Sequence, residues 1–394
     1  MGVRKVKTAV IGSGMISSIY IRNLSRMFSV IDLDAVCARR REAAEARAKE
    51  FGIPRALTLD EAAADPEIEL VVNLTAPDAH YEVIRRMLLA GKHVYTEKMF
   101  TTDLEKSREL VALAAEKGLY LGVAPDTVLG ASIQTGRYLI DTGIIGEVTS
   151  VQACINRNQT LNSEFFRFLR GEGGTLPYDV GVYYVGALVA LLGSVERISA
   201  FGNPAPVHEP QVAFLNEGEE PWQIPGINVT AASLRFACGA VGSVLFDGNT
   251  IGQSQHALTV YGTRGILKLG DPDRFGDPVT LILPENEPVQ MPLTHGFDGK
   301  NYLGEPASFD HYGHRGIGVA ELAWALRRGR PHARLSGEYG LHCQEILQGM
   351  TAAAETGEVF EVQSRCEIKG LRPGYYSSMF GGNMRGDAEA SLME

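Results

Sequence analysis

A Glu-Lys pair at positions 97 and 98 follows a short apolar stretch, residues 91–96. The stretch indicates a buried strand, and ligands of open α/β sheets bind at the C-terminal ends of parallel strands. Lys98 is therefore a candidate for proton transfer to or from a substrate, and both Glu97 and Lys98 are predicted to contact a cofactor. The alternative is a surface Lys in a salt bridge, and this stretch alone does not decide between the two.

A glycine turn near the N-terminus has the spacing that binds a pyrophosphate. Residues 6–11 indicate a strand, GSGMIS follows at 12–17, and apolar residues at helical spacing come next. Gly12 permits the tight turn, and Gly14 allows the backbone to approach the phosphates. The helix that starts at Met15 and Ile16 offers N–H donors and a favourable dipole. Ser17 stands where Gly or Ala is usual.

The second strand, residues 31–37, bears on the choice between NAD and NADP. Spacing alone offers Asp34 as the acid that binds the ribose, but at ~3.3 Å per residue it lies roughly 13 Å back from the strand end. Ala38 occupies the end itself, and Arg39, Arg40 and Arg41 follow. Arginines without an acid favour a 2′-phosphate, so we expect NADP(H) over NAD(H). The alternative is that these arginines only begin a solvated helix, residues 39–50.

Composition limits the classes of partner. The 394 residues carry a net charge of −10 with 45% hydrophobic residues, which indicates a globular protein that does not bind nucleic acid. No apolar run reaches about 18 residues, so no membrane span is expected. The five cysteines are scattered, which is typical of a reducing compartment. No signal peptide precedes the first strand, and a cytoplasmic location is expected.

Two patterns of elements divide the chain. Alternating strands and helices up to residue 124 indicate a doubly wound parallel sheet. Its strand at 70–75 is followed by Thr75, Pro77 and His80, which are predicted cofactor contacts. Longer strands separated by Gly and Pro turns then indicate a largely antiparallel sheet. We expect a dinucleotide-binding domain over 1–124, an α/β domain for substrate and oligomer contacts over 125–369, and an arm over 370–394.

Six segments resemble the Gfo/Idh/MocA oxidoreductase family, and the likeness covers nearly the whole chain: AVIGSGMIS, LTAPDAHYEV, AGKHVYTEKM, LIDTGIIGEV, GEGGTLPYDVGVYY and VYGTRGILKL. The resemblance implies an N-terminal Rossmann domain and a C-terminal α/β domain with a large open sheet. It also implies hydride transfer at a hydroxyl or keto carbon of a sugar or cyclitol. The family's EKP motif is here Glu97-Lys98-Met99, in which the rigid Pro is lost.

The resemblance assigns catalysis to a second segment, residues 173–183. Pro177 suits the first turn of a helix and Gly193 its end, which places Asp179 and Tyr183 at i and i+4 on one face. Many family members carry His where Tyr183 stands, and Tyr is the acid/base in the glucose–fructose oxidoreductase and dihydrodiol dehydrogenase branches. A Tyr at this spacing is otherwise packing, as we expect for Tyr184.

Polar residues near the start of the second domain are candidates for substrate contacts. Asp126 replaces the family's common Asn-x-Arg stretch, and either accepts from a sugar hydroxyl or serves as a turn acid. Arg157, Asn158 and Gln159 follow the first strand of the antiparallel sheet, a good place for polar substrate contacts. Of these, Arg157 and Asn158 are predicted to bind substrate together with Lys98, Asp179 and Tyr183. Asp310, His311 and His314 suggest a metal, but they lack a firm third ligand, so no metal is expected.

The leading hypothesis is reversible hydride transfer between nicotinamide and a carbinol carbon of a sugar, glycoside or cyclitol. Tyr183 or Lys98 takes the hydroxyl proton, the charge of Lys98 lowers the Tyr183 pKa, and Asp179 orients the substrate or the Lys. One alternative is transient oxidation that permits glycoside cleavage. Another is a dinucleotide-sensing regulator without turnover. A homodimer or homotetramer through the C-terminal sheet is implied by the family.

Overall fold

Six strands between residues 6 and 123 form a wholly parallel sheet in the computed structural model, which describes residues 4–251, 255–300, 313–331 and 334–374. The strands are β1 (Val6–Ile11), β2 (Ile31–Cys37), β3 (Arg55–Leu57), β4 (Leu70–Asn73), β5 (His93–Thr96) and β6 (Leu121–Val123). Their order is β3-β2-β1-β4-β5-β6, and it reverses direction between β1 and β4. The carboxyl ends of the strands at such a switch point are where open α/β sheets bind ligands.

Five helices connect these strands and cover the sheet. They are α1 (Met15–Arg26), α2 (Arg41–Phe51), α3 (Leu59–Ala64), α4 (His80–Leu89) and α5 (Leu104–Glu116). All four residues of β4 are buried, as a central strand covered on both faces requires. Asp103 caps α5 by accepting from the backbone N–H groups of Glu105 and Lys106. The predicted Rossmann domain is confirmed, although α2 begins at Arg41 and not at residue 39.

Nine further strands form a mixed and mostly antiparallel sheet. They are β7 (Val148–Asn156), β8 (Val195–Pro204), β9 (Ile227–Phe236), β10 (Val241–Asp247), β11 (Gln255–Gly262), β12 (Ile266–Leu269), β13 (Val279–Ile282), β14 (Val289–Met291) and β15 (Phe360–Glu361). Only the β7–β10 pair is parallel among the described strands of this sheet. Residues of β9 and β10 alternate between buried and exposed, so one face of the sheet packs on the core and the other faces solvent.

Helices of the C-terminal part lie on the buried face of the second sheet and against the first. They are α6 (Ala131–Asp141), α7 (Gln159–Phe165), α8 (Val182–Leu192), α9 (Ala213–Asn216), α10 (Ile317–Arg328) and α11 (Gly337–Thr356). Ser336 caps α11, as the sequence predicted. Ser107 of α5 donates to Gln344 of α11 over 2.8 Å, and one continuous hydrophobic core spans both sheets. The two sheets are thereby held as one unit. The partly exposed region between the end of β5 and the turn before α8 is here named the cleft.

The predicted C-terminal arm lies largely outside the described residues. Of residues 370–394 the structure describes 370–374, where the Leu371 N–H donates to Gln134 over 2.6 Å. None of the helices described here is both long and apolar enough to cross a membrane.

Candidate active site

The glycine turn after β1 forms an open cradle at the start of α1. Gly12 has a φ of 115°, and a Cβ there would lie 2.5 Å from the Leu74 carbonyl oxygen, so only glycine fits. A Cβ on Gly14 would meet nothing within 4 Å, and no side chain caps this helix. The Met15 side chain is 79% exposed. The space and the N–H groups therefore fit a pyrophosphate on the helix N-terminus.

Arg47 of α2 holds this glycine turn, a role that sequence analysis missed. Its guanidinium donates to the Ser13 carbonyl oxygen over 2.8 Å and to the Ser18 hydroxyl over 2.7 Å. The Arg47 side chain is only 17% exposed and also pairs with Glu50. By binding the carbonyl side of the turn, Arg47 leaves the N–H side for a ligand. Since 34 residues separate Arg47 from Ser13, no local pattern signals this contact.

The end of β2 is arranged as the strand geometry predicted. Asp34 lies inside the strand and pairs with Arg55, 2.7 Å from its Nε. Ala38 follows the strand and is partly buried, whereas Arg39 and Arg40 are exposed and make no ion pair with any described residue. Arg41 instead starts α2 and bonds Glu45 and Glu61. Two exposed cations without a described ion pair therefore follow the strand end, and the residue at the end itself is Ala38 and not an acid.

Polar side chains tie the ends of β4 and β5 together. Asn73 donates to the Thr96 hydroxyl over 3.0 Å and accepts from the Thr75 hydroxyl over 2.8 Å. His80 is buried, and its two ring nitrogens lie 2.6 Å and 3.0 Å from the carbonyl oxygens of Met99 and Thr75. Burial lowers the pKa of His80, which its two carbonyl neighbours oppose. Because both of its ring nitrogens are taken by these carbonyl oxygens, His80 ties the segments after β4 and β5 together.

Thr75 and Pro77 stay accessible at the cofactor side. Both are partly exposed, and Pro77 begins a short 3₁₀ turn, residues 77–79, that leads into α4.

Glu97 is anchored to the first helix of the chain. Its carboxylate accepts from the Tyr20 hydroxyl of α1 over 2.7 Å. Glu97 is 9% exposed, so it anchors the loop that carries Lys98 onto α1.

Lys98 and Asp179 form the ion pair at the centre of the cleft. The Lys98 ammonium lies 2.9 Å from Asp179 Oδ1 and also donates to the Asp179 carbonyl oxygen. On its other oxygen Asp179 accepts from Arg157 over 2.8 Å and from Gln159 over 3.1 Å. The side chains of Lys98, Arg157 and Asp179 are 18%, 26% and 12% exposed, so the group borders solvent.

The electrostatics of this group leave it with excess positive charge. Burial raises the pKa of Asp179, but Lys98 and then Arg157 outweigh it, and the pKa lies below its ordinary value. Asp179 is therefore an ionised carboxylate between two cations. Gln159, which follows Arg157 and Asn158 among the sequence candidates for polar contacts, accepts from the Arg157 Nε over 3.1 Å.

The segment that carries Asp179 and Tyr183 departs from a regular α-helix. Residues 177–181 form a π-helical turn with Pro177 in its first positions, and α8 begins only at Val182. Asp179 and Tyr183 nevertheless face the same cation, since Lys98 Nζ lies 5.2 Å from the centroid of the Tyr183 ring. Tyr184 packs edge-on against Phe246 and donates to Asp271 over 3.3 Å, which agrees with a packing role.

Tyr183 contacts a buried arginine that the sequence analysis did not single out. Arg315 Nη2 lies 3.2 Å from the Tyr183 hydroxyl and 3.0 Å from Asp273. The charge of Lys98 predicts a lowered pKa for Tyr183, but that pKa is not lowered overall. Burial raises that pKa well above its ordinary value, although Arg315 acts in the opposite direction. The hydroxyl, and not the phenolate, is therefore the resting form.

Two predicted substrate contacts have structural roles instead. Asp126 is fully buried, and its oxygens lie 2.6 Å from the Gly316 N–H and 3.5 Å from Arg315, so it is not free to accept from a sugar hydroxyl. Burial raises its pKa to about 6, against the opposing charge of Arg315. Asn158 caps α7 by accepting from the Leu161 N–H over 2.9 Å. Arg157 remains at the cleft.

The residues considered as metal ligands are not brought together. Asp310 and His311 lie outside the described residues, and His314 accepts from the Gly299 N–H over 2.9 Å. His314 packs edge-on between Phe275 and Phe297, and burial lowers its pKa to about 4. Across the described parts of the chain, no cluster of three or more His, Cys, Asp or Glu side chains is suited to hold a metal ion.

Two family models match the chain and together cover most of it. The model described as "Oxidoreductase family, NAD-binding Rossmann fold" matches residues 6–124, and the "GFO/IDH/MocA C-terminal domain" matches residues 133–268. The chain belongs to the GFO/IDH/MocA oxidoreductase family. The resemblance of the six segments is thereby confirmed.

Individual relatives agree with this assignment. An uncharacterized oxidoreductase of Schizosaccharomyces pombe is 33% identical over 201 residues, which are 50% of this chain and 54% of the relative, so the chain spans about half of that protein. The trans-1,2-dihydrobenzene-1,2-diol dehydrogenase of Bos taurus is 28% identical over 73% of this chain and 80% of its own. A levoglucosan dehydrogenase solved with NADH and L-sorbose shares the fold, with a TM-score of 0.77 and 17% identity over 91% of this chain and 99% of its own.

Proposed function

We propose that this chain is an NAD(P)-dependent oxidoreductase that acts on a secondary alcohol, or the matching ketone, of a polyol. The observation that carries the proposal is the meeting of Lys98, Asp179 and Tyr183 beside the carboxyl ends of the parallel strands. Lys98 follows β5 of the first sheet, whereas Asp179 and Tyr183 lie on the π-helical turn and on α8. Family membership supplies the class of reaction. Bound nicotinamide would exchange a hydride with the reacting carbon.

The protein's own groups divide the remaining work. The glycine cradle and the α1 N-terminus would hold the pyrophosphate, as the free space at Gly14 supports. Two of the three Lys98 N–H groups donate to Asp179, which leaves one for the substrate oxygen. The Tyr183 O–H supplies the proton when a carbonyl is reduced, and the Tyr183 phenolate oxygen accepts the proton when an alcohol is oxidised. The excess positive charge of Lys98 and Arg157 around Asp179 stabilises negative charge on the substrate oxygen.

Two relatives suggest the substrate class. The bovine relative is named for a trans-diol, and the levoglucosan dehydrogenase was solved with L-sorbose. Sugars, cyclitols and trans-diols share a secondary hydroxyl with an oxygen on the next carbon. Arg157 lies on the cleft side of Asp179 and is 26% exposed, so it is placed to donate to that second oxygen.

We further propose that the cofactor is NADP(H). The support is local: Ala38 replaces an acid at the end of β2, and the exposed Arg39 and Arg40 follow it. A 2′-phosphate would accept charge-assisted hydrogen bonds from these guanidinium groups. An acid at position 38 would repel it.

A substrate screen with both cofactors tests the proposal. Purified protein would be incubated with sugars, cyclitols and trans-diols and either NAD⁺ or NADP⁺, and formation of the reduced cofactor followed by absorbance. We expect turnover with at least one vicinal diol, faster with NADP⁺, and its loss in Lys98→Met. Release of an aglycone from a glycoside without net cofactor reduction would instead indicate oxidation-assisted cleavage. Tight cofactor binding without turnover of any compound would contradict the proposal.

A further inference from the structure

Arg315 is the most deeply buried cation in contact with the candidate site. It is 2% exposed, its Nη2 lies 3.2 Å from the Tyr183 hydroxyl oxygen, and its Cζ lies 5.4 Å from the centre of the Tyr183 ring. A buried charge is retained only where neighbouring groups compensate its lost hydration. The neighbours of Arg315 are therefore informative about what the guanidinium does there.

The position of Arg315 is fixed from two sides. Asp273 accepts from the same Nη2 over 3.0 Å, and Asp126 lies 3.5 Å from Nη1. The backbone is anchored as well, because Asn23 of α1 donates to the Arg315 carbonyl oxygen over 2.8 Å. Neither the guanidinium nor its peptide is free to move away from Tyr183.

Hydrogen-bond chemistry gives this contact a direction. A guanidinium has donors and no acceptor, so the Tyr183 oxygen must be the acceptor of the bond from Arg315. The tyrosine's own proton then has to point away from Arg315. Lys98 Nζ lies 5.2 Å from the centre of the same ring and pairs with Asp179, and the side chains of both residues are partly exposed.

We propose that Arg315 is a positioning residue for Tyr183: it turns the tyrosine proton towards the substrate and stabilises the phenolate when that proton leaves. Only the use of this contact in turnover rests on the proposed function. In the reduction direction the Tyr183 O–H bond breaks as the O–H bond of the product alcohol forms, while the carbonyl carbon receives the hydride from reduced nicotinamide. In the oxidation direction the proton returns to the phenolate.

Charged groups of both signs surround Tyr183, and Arg315 opposes the effect of the anionic ones on the Tyr183 pKa. The anionic groups are Asp273, Glu97 and Asp179, which with burial raise the pKa of Tyr183. The cations are Arg315 at the oxygen and Lys98 at the ring. Arg315 is the only described cation that hydrogen-bonds the Tyr183 oxygen, so its removal should raise the pKa of Tyr183 further.

A titration that does not depend on turnover tests this. Replacing Tyr183 by 3,5-difluorotyrosine makes the phenol more acidic and gives a ¹⁹F NMR signal that reports its ionisation. We expect Arg315→Gln to move the midpoint of that titration upward by about one pH unit or more, which is about 1.4 kcal/mol. Arg315→Lys keeps the charge without the planar fork, and should give a smaller upward shift.

Arg334 offers a matched control. It is also buried, and it pairs with buried Glu321 over 3.1 Å. Arg334→Gln should reduce stability but leave the fluorotyrosine midpoint unchanged. An unchanged midpoint in folded Arg315→Gln would overturn the proposal. If Arg315→Gln does not fold, a midpoint in Arg315→Lys equal to the parent's would overturn it instead.

Kinetics then separate this role from the proposed function. With the best substrate, Arg315→Gln should reduce turnover about 10- to 100-fold, and the alkaline pH at which oxidation reaches its maximum should rise with the Tyr183 pKa. In a Tyr183→Phe background, Arg315→Gln should reduce turnover only slightly further. A shifted fluorotyrosine midpoint in a protein that turns over nothing would support the Arg315 contact and reject the proposed function.

Discussion

Tyr183 is placed between two cations of different kinds. Lys98 lies over its ring at 5.2 Å, and Arg315 donates to its oxygen at 3.2 Å. Sequence spacing paired Tyr183 with Asp179 and the family motif paired it with Lys98, but nothing pointed to Arg315. Arg315 is 132 residues from Tyr183 and carries no motif, so only the folded chain brings the two together.

At the scale of single residues, Asp126 predicts a pH dependence of stability. Burial raises the pKa of Asp126 from 3.8 to about 6 in the native state, while Arg315 opposes the shift. Between these pH values the native state binds more protons than the unfolded state, so the Asp126 contribution to the free energy of unfolding falls as pH rises. The full difference is about 3 kcal/mol.

The neutral variant Asp126→Asn isolates this contribution. The free energy of unfolding of the wild type and of the variant would be measured by thermal unfolding at pH 4, 5, 6 and 7. Contributions of the other acids are largely the same in both proteins, so they cancel when one free energy is subtracted from the other. We expect the free energy of unfolding of the wild type to fall relative to that of Asp126→Asn as the pH rises from 4 to 7. A rise relative to that of Asp126→Asn would mean that the Arg315 charge outweighs burial and that the Asp126 pKa is not raised.

At the scale of elements, the sequence predicted what depends on local pattern. The bounds of β1 and β12 agree with their apolar runs, and the glycine turn between β1 and α1 has the expected form. The three-residue edge strand β3 was missed, because its partly buried residues give no apolar run. The π-helical turn over residues 177–181 was also missed, since Pro177 marks a helix start without fixing its hydrogen-bond pattern.

The loop between β2 and α2 predicts cofactor choice. Changing Ala38 to Asp and both Arg39 and Arg40 to Ser should move the preference from NADP to NAD by about tenfold or more, since a charge-assisted pair contributes roughly 1.5–3 kcal/mol. Dissociation constants for all four cofactor forms, measured by calorimetry, check this. Unchanged NADP affinity in the triple variant, or a wild type that binds only NAD, would reject the assignment.

Arg47 of α2 predicts a different effect on the same ligands. Its bonds to the Ser13 carbonyl oxygen and the Ser18 hydroxyl hold the glycine turn and do not reach towards the ribose end. Arg47→Ala should therefore weaken NAD and NADP binding by a similar factor, about tenfold, and leave their ratio unchanged. Arg41→Ala is the matched control, because Arg41 is exposed and its ion pairs with the described part of the chain are to Glu45 and Glu61. A changed ratio of NADP to NAD affinity in Arg47→Ala would show that Arg47 contacts the 2′ position of the ribose.

At the scale of the whole molecule, the second sheet presents one uncovered face. The alternation in β9 and β10 exposes a row of polar and apolar side chains on that face, including Ser233, Ser243, Val241 and Leu245. Family resemblance predicted an oligomer contact there, and the open face is compatible with it. Composition and periodicity predicted the sheet itself. They do not predict an oligomer contact, because the contact depends on how the surfaces of two folded copies match.

The predicted oligomer is tested by a charge on that face. In a two-fold interface each substitution occurs twice, so Ser243→Arg at the middle of β10 should convert a dimer or tetramer to smaller species. Light scattering after gel filtration gives the mass. Ala46→Arg, on the exposed side of α2, is the control and should leave the mass unchanged. If wild type is already a monomer at working concentrations, the predicted assembly is wrong.

In the proposed mechanism Tyr183 and Lys98 act together at the reacting oxygen, and turnover in paired tyrosine variants is a direct test of that joint role. Tyr183→Phe keeps the ring packing, and Tyr184→Phe makes the same change one residue on, at a hydroxyl that bonds Asp271 instead of Arg315. With the best substrate from the screen, Tyr183→Phe and Lys98→Ala should each reduce turnover ~10²–10⁴-fold. Their double variant should lose far less than the product of the two losses, and Tyr184→Phe should stay near wild type. Near-normal turnover in Tyr183→Phe, alongside a large loss in Tyr184→Phe, would contradict that joint role.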